Sequence, residues 1–510
     1  MTRVVEVPTR WRAVPGLDRE SGVLVVGVGA SDLDLRSIGL HHLVEHLVMR
    51  RVGPMPFAVN AVSSPESVMF HATGSRAQVV GFLRAVAAAI RSLHHGPSAW
   101  ALAQEQQVLA TEQAGRPAGF AGPWTARFGC AGPGLTELPE LGAGGATVEE
   151  VRAFVSTWFV ARNARVALTF DPDGALGVHL PEGTEGARQV WRAGSRSRRP
   201  VFCETDTGAL TVSFDAEQVP GDVLVYRVLV QALLRELRDE YAAIYSVTTA
   251  MCASGPGRRT WLVGLDPLPE NVDPVVNAIL WVCETLAGGG CDELLLEDAR
   301  MLTLAELSDP GEQVDRFVNE LVDELRGEDR VDLSATRRAV EQMTADRVRN
   351  RIGELLATVL VTTPGGIALD QGTLGRLTGF GLRRRDLIAT DRRPATEIRQ
   401  EMLARTPGTR SLRPTRGYYP RVFGPVRGVH LWIGPGQFTL IPRNGPALRV
   451  YARDVILAET DPDGTVALLT RQGGRIAVNP GHFRGAPRWW KHFWDQLDDR
   501  VLHLPEPVRG

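Results

Sequence analysis

Apolar positions along the chain alternate between two periods. Residues 22–30 (GVLVVGVGA) form a short β-branched run that predicts a strand, and residues 35–51 then carry apolar side chains at helical spacing. Strand character returns at 57–73, with a turn at Ser63 to Ser67. Residues 78–93 and 98–113 predict two helices and 164–170 another strand. Near Thr207 the order restarts: strand 209–214, helix 222–240, strands 244–253 and 259–265, then helices 271–286 and 292–307. A repeat about 190 residues long is too large for a solenoid and predicts a duplicated domain of helices packed on a largely antiparallel sheet.

Residues 181–200, rich in Gly, Ser and Arg, have the composition of a linker between the two copies. A second break falls at 392–417. Short strands then follow at 428–433, 437–442, 448–452, 455–459, 465–470 and 474–478, punctuated by PG, NG, DG and GG turns, before a closing helix at 487–501. The expected fold is α+β: two sister domains over 1–185 and 201–395, and a small β-roll capped by a helix over 415–510. The roll has a faint resemblance to pleckstrin-homology domains, a scaffold that fixes no function. Trp490, Phe493 and Trp494 of the closing helix are expected to plug the roll in preference to meeting a membrane surface.

Composition narrows the function classes. With 44% hydrophobic and 23% charged residues the chain is globular, and 57 basic against 59 acidic side chains leave a formal charge of −2, so no overall field favours nucleic acid. Lys491 is the single lysine, and the arginine-rich stretches 196–199 and 383–385 read as solvated faces. Cys130, Cys203, Cys252, Cys283 and Cys291 are odd in number and contain no CxxC pair, which predicts reduced thiols rather than a disulfide frame or a thiolate zinc site. The charged first twelve residues and the absence of an apolar run of membrane length complete the expectation of a soluble cytoplasmic protein.

The chemistry concentrates in the first helix. It contains His42-x-x-Glu45-His46, and a spacing of four puts both imidazoles on one face, near enough to hold one zinc ion with Glu45 on the same turn beside it. His41 has no such spacing and reads as structural. A catalytic zinc needs a third protein ligand and an open fourth position. Glu112, on the 98–113 helix, is the candidate. Glu105 lies two turns earlier on the same stripe of a helix whose Trp100, Leu102, Val108 and Leu109 are expected to face the core. Two acids there would be costly without partners, so Glu112 is assigned as ligand and Glu105 as the acceptor orienting a ligand imidazole.

HxxEH followed by ExxxxxxE resembles the pitrilysin/insulinase family of zinc metallopeptidases, the inverzincins. The stretch from Val14 and the Gly22 strand is similar to the family's first hairpin. Phe57-Ala-Val-Asn-Ala-Val-Ser resembles its edge strand, which implies that Asn60 and Ala61 present backbone groups to an extended peptide. In the second copy, Arg238 and Tyr245 match the family's Arg-x6-Tyr signature, which implies a pair gripping substrate near the scissile carbonyl. The interval from His46 to Glu112 is short for the family, and Val48-Met-Arg-Arg-Val-Gly-Pro replaces its usual FKGT-like stretch. The resemblance covers about residues 10–390. It implies Zn2+, one per chain, peptide hydrolysis with Glu45 as base, and oxyanion stabilisation by zinc and Tyr245 assisted by Arg238. Similarity to the shorter-chain branch that includes mitochondrial processing peptidase further implies a homodimer, each centre completed in trans within a closed chamber that admits unstructured peptides. The alternative is a non-catalytic peptide-binding or partner subunit.

Overall fold

The computed structural model describes residues 3–503 apart from 115–121, 185–198, 206–208, 241–242, 329–331, 395, 399, 401–409, 413–429, 435, 442–445, 461–463, 484–485 and 498–501. Most of the expected linker, and most of the break at 392–417, lie outside the described residues. The first sheet is built from β1 (Thr9–Trp11), β2 (Glu20–Val26), β3 (Ala58–Ser63), β4 (Val68–Gly74) and β5 (Ala164–Leu168), in the order β3-β4-β2-β5-β1. The second holds β6 (Val201–Thr205), β7 (Leu210–Glu217), β8 (Val247–Gly255), β9 (Arg258–Leu265), β10 (Leu360–Pro364) and β11 (Arg383–Arg384), in the order β8-β9-β7-β10-β6-β11. Apart from β11 the two plans coincide. Each has an antiparallel hairpin at one edge, a late strand returning to the middle, and one parallel pair, β1 with β5 and β6 with β10.

The helices repeat likewise. The first copy has α1 (Leu40–Val52), α2 (Arg76–Leu93), α3 (Ala99–Ala114), α4 (Pro123–Phe128) and α5 (Val148–Trp158); the second has α6 (Asp222–Leu234), α7 (Val272–Gly289), α8 (Glu293–Glu306), α9 (Pro310–Arg326) and α10 (Ala345–Leu356). Both α1 and α6 follow a left-handed glycine, Gly39 at φ 90° and Gly221 at φ 96°, a conformation that costs a residue with a Cβ. That turn is why α1 starts at Leu40 and not at 35. Aligning the two glycines sets His42, Glu45 and His46 against Leu224, Arg227 and Val228, so the second copy carries no version of the motif. α2 opens with a capping box between Ser75 and Gln78 and buries Phe82, Leu83, Val86 and Ile90 in the first core, which also holds Leu43, Val44, Leu47 and Val48 of α1.

The copies exchange helices. Helix α9 of the second lies on the free face of the first sheet, where Phe317, Val318, Leu321, Val322 and Leu325 meet Val23, Val25 and Ala167. Each such side chain stabilises by about 1.5–3 kcal/mol when fully buried. Its polar flank is also tied down, Arg12 to Glu320, Arg165 to Glu324 and Arg326 to Asp32. Helix α4 of the first copy answers by lying on the second sheet. Ala126 packs against Val201, Cys203 and Leu360, and the buried Arg127 guanidinium donates to Ser213 O at 2.7 Å and Thr358 O at 3.1 Å. Burial lowers the Arg127 pKa to about 10.

At the end of α9, Arg259 and Arg326 stand among Asp32, Glu66, Asp323 and Glu328, two cations against four acids. Burial, with Glu328 and Glu66 nearby, raises the Asp323 carboxyl to about 6 despite its 2.7 Å bond from Arg259. The folded chain therefore binds a proton here that the unfolded chain releases near pH 4. The resulting stability is present below pH 4 and lost as pH rises through about 6. Asp323→Asn is expected to remove that slope, read as a flatter dependence of the denaturant midpoint on pH between 4 and 7.

The C-terminal module has two sheets. One runs in the order β12 (Ala389–Asp391), β16 (Ala447–Tyr451), β15 (Gln437–Ile441), β14 (His430–Gly434), β13 (Arg410–Leu412), and the other in the order β19 (Arg475–Val478), β18 (Val466–Thr470), β17 (Val455–Thr460), β20 (Leu502–His503). Strand β12 precedes the expected break at 392, so the module's first edge strand comes from the chain segment just before it. The closing helix α11 (Ala486–Trp494) is shorter than its sequence pattern suggests. It sends Trp490 and Phe493 into the module's core against Phe438, with ring centroids 5.1–5.3 Å apart.

Candidate metal centre

Helix α1 presents three kinds of side chain. Its leucines and valines bury against α2 and the sheet, Arg50 and Arg51 sit in its last turn where they complement the helix dipole, and the third face carries His42, Glu45 and His46. Helix α3 supplies the opposing wall. Leu102, Glu105 and Leu109 are buried there and Glu112 is partly exposed, a stripe that excludes two side chains expected in the core. Trp100 and Val108 are 66% and 42% exposed, because they lie off that stripe; Trp100 stacks beneath the Arg50 guanidinium at 4.6 Å instead.

His42 and His46 meet edge to face, their ring centroids 4.8 Å apart. Nε2 of His42 is 3.8 Å from Glu112 Oε2, and Nε2 of His46 is 3.7 Å from Glu112 Oε1. The three ligand atoms all lie within 4.8 Å of one another. The other ring nitrogens face carboxylates. His42 Nδ1 is 2.9 Å from Glu140 Oε2, and His46 Nδ1 is 3.1 Å from Glu105 Oε2, whose second oxygen accepts from Arg50 at 2.5 Å. Each Nδ1 thus donates to a carboxylate, which fixes the tautomer and turns the Nε2 lone pairs toward Glu112. Burial works to lower the His42 pKa, but its hydrogen bond to Glu140 and the charges of Glu140, Glu45 and Glu112 outweigh it, leaving the imidazole above its ordinary value. Four carboxylates, Glu45, Glu105, Glu112 and Glu140, thus surround the two imidazoles.

Glu45 is buried, and its Oε2 accepts from Ser63 Oγ at 2.8 Å. Beside it opens a cavity of about 460 Å³ lined by the histidines, Glu112 and Glu140, with Asn60 and Ala61 of β3 on the far side. Strand β3 is a sheet edge, hydrogen-bonded to β4 alone, with Asn60 opposite His71 and Ala61 opposite Phe70. His41 lies against the same cavity, but burial lowers its pKa to about 4 and it stays neutral, outside the ligand group. Arg238 and Tyr245 are elsewhere. Arg238 is exposed on a π-helical turn (Arg235–Glu240) after α6, Tyr245 is 84% exposed, and neither lines the cavity.

Sequence reasoning did not find Glu140, Ser63, Arg50 or Gln113, whose Nε2 donates to Glu140 at 3.2 Å. Glu140 lies far along the chain from His42, in a stretch without periodicity, and Ser63 sits at the end of β3 where the pattern shows a turn. Only Arg50, one helical turn beyond His46, was within reach of spacing arguments.

No protein-family model matches the chain, and no curated protein matches it in sequence. Solved structures do. The first half of the periplasmic protease PqqL from Escherichia coli matches with a TM-score of 0.55 at 13% identity, covering 74% of this chain and 96% of that one. This chain therefore shares a fold with a protease of known structure. A protease from Helicobacter pylori matches at TM-score 0.56 and 14% identity, over 71% of this chain and 99% of the other. An inactive M16 peptidase domain from Pseudomonas fluorescens matches at 0.55 and 12%, over 72% and 99%. Because the shared fold is found in proteases and in an inactive domain alike, activity has to be argued from side chains.

Proposed function

We propose that this chain is a zinc-dependent endopeptidase or oligopeptidase acting on unstructured peptides or precursor segments. The observation that carries the proposal is the convergence of His42, His46 and Glu112 with both distal imidazole nitrogens braced by carboxylates. A tetrahedral zinc site sets its ligand atoms about 3.4 Å apart. The 3.7 and 3.8 Å separations run from the two histidines to different oxygens of Glu112, and the three ligand atoms lie within 4.8 Å of one another, so a bound cation would draw them together by up to about 1.4 Å. The donor set fits.

When bound, the ion would supply Lewis-acid polarisation and a water of lowered pKa. The protein's own groups supply the rest. Glu45, held by Ser63, would take a proton from the attacking water on its free carboxylate oxygen and pass it to the leaving amine. The unpaired edge of β3 at Asn60 and Ala61 would bind substrate as an added strand, which favours peptides without stable structure. Tyr245 and Arg238, exposed and away from the cavity, would serve the centre of a second copy, stabilising the oxyanion and gripping the backbone in a homodimeric chamber. The five free thiols, four of them buried, support a reducing, cytoplasmic setting, and no described helix is long and apolar enough to cross a membrane.

A second reading, a non-catalytic peptide-binding or partner subunit, is kept open by the inactive domain among the structural matches. Metal analysis addresses it first. One zinc per purified chain is expected, with Glu112→Ala reducing occupancy to near zero in the same buffer. A wild-type chain that binds no zinc would support the partner-subunit reading.

A further inference from the structure

The C-terminal module is docked beside the metal centre. Leu457 of β17 and Leu469 of β18, with Ile456, share an apolar cluster with Leu35 and Ile38, just before α1, and with Cys130, Leu135, Leu138 and Leu141. The hairpin after β18 closes the contact. Arg471 O receives the Cys130 N–H at 3.5 Å, Thr470 O faces Cys130 Sγ at 3.5 Å, and Gly473 approaches so closely that a Cβ there would fall 2.2 Å from Thr125 Cγ2.

Residues 129–141 have little regular structure of their own beyond a 3-10 helix (Gly132–Glu137) and the start of a four-residue helix at Leu141. Glu137 ties them to α4 by accepting from Trp124 N–H at 3.0 Å and Thr125 N–H at 2.7 Å, and Leu135 and Leu138 are buried between the approach to α1 on one side and the module on the other. The same residues line the cavity, and they end on Glu140, the acceptor for His42 Nδ1. Glu140 is pressed against the start of α1, its Cβ 2.5 Å from where a Cβ on Gly39 would be.

Taking His42, His46 and Glu112 as metal ligands, we propose that the C-terminal module is part of the metal centre: Leu457 and Leu469 are positioning residues that hold residues 129–141 against α1 and thereby aim Glu140 at His42. Carboxylates that orient ligand histidines typically change metal affinity ten- to a hundred-fold when lost. Loosening the packing behind Glu140 then weakens metal binding without touching a ligand.

The test uses the full-length chain loaded with Co(II), reading the visible absorption bands and the dissociation constant by competition with a chelator. Leu457→Ala combined with Leu469→Ala is expected to weaken Co(II) binding about ten-fold and to shift the bands. Glu140→Gln is expected to do the same, and all three changes together to cost no more than Glu140→Gln alone, because the leucines act through that carboxylate. Leu469→Met keeps the volume and the affinity. Leu468→Ala, which hollows the module's own core from the neighbouring position, lowers the thermal midpoint and leaves the dissociation constant unchanged. Leu469→Val gives the milder form of the same reading should the double variant not fold. An unchanged constant and spectrum in the leucine variants, or effects that add in full to those of Glu140→Gln, overturns the proposal. A wild-type chain without Co(II) bands overturns the metal reading itself, a separate outcome.

Discussion

Glu45→Gln is expected to lower kcat/KM for a peptide substrate by about 10²–10⁴-fold, the range that a positioned general base supplies, while zinc occupancy stays at the wild-type level. The second half of that expectation separates a base from a ligand. Glu45 lies on the same face of α1 as the histidines, but its Oε2 is held by Ser63, and the convergent group is His42, His46 and Glu112 without it. Glutamine preserves the acceptor for Ser63 and the volume of a side chain that is 8% exposed, so the fold has no reason to change. What it loses is the ability to take a proton. Peptide cleavage surviving in this variant would remove Glu45 from the mechanism, and zinc lost along with activity would make it a ligand.

The parts of this arrangement legible in the sequence are those that helix and strand periods encode directly. A four-residue spacing put His42 and His46 on one face, a seven-residue spacing put Glu105 and Glu112 on one stripe, and the recurring order of strands and helices showed the duplication. Period says which face is shared and not what it meets. The same argument that set Glu105 on a buried stripe sent Trp100 and Val108 into the core, where the structure leaves both exposed. Glu140 gave no signal because the chain reaches it through a glycine- and proline-rich stretch whose course depends on a module some three hundred residues later. The exchange of α4 and α9 between the copies was hidden for a related reason. Each helix has one apolar face, and nothing local distinguishes packing on its own sheet from packing on the sister's.

A mixed dimer tests the remaining part of the mechanism. Glu45→Gln and Tyr245→Phe chains are each expected to be nearly inactive, the first for want of a base and the second for want of the phenol that stabilises the oxyanion. Co-expressed with different tags and purified so that every dimer is mixed, they are expected to recover about half the wild-type turnover, because one of the two centres then joins an intact Glu45 to an intact Tyr245 across the interface. The structure motivates this in two ways. Tyr245 is 84% exposed, with its backbone N–H fixed by Asp266 at 3.1 Å, so its ring is displayed by a settled turn; and neither it nor Arg238 lines the cavity of its own chain. Were Tyr245 to act on the centre of its own chain, each mixed dimer would contain two broken centres and recover nothing. Activity in the Tyr245→Phe chain alone would instead show that the phenol is dispensable, and light scattering on an active wild-type monomer would exclude sharing of any kind.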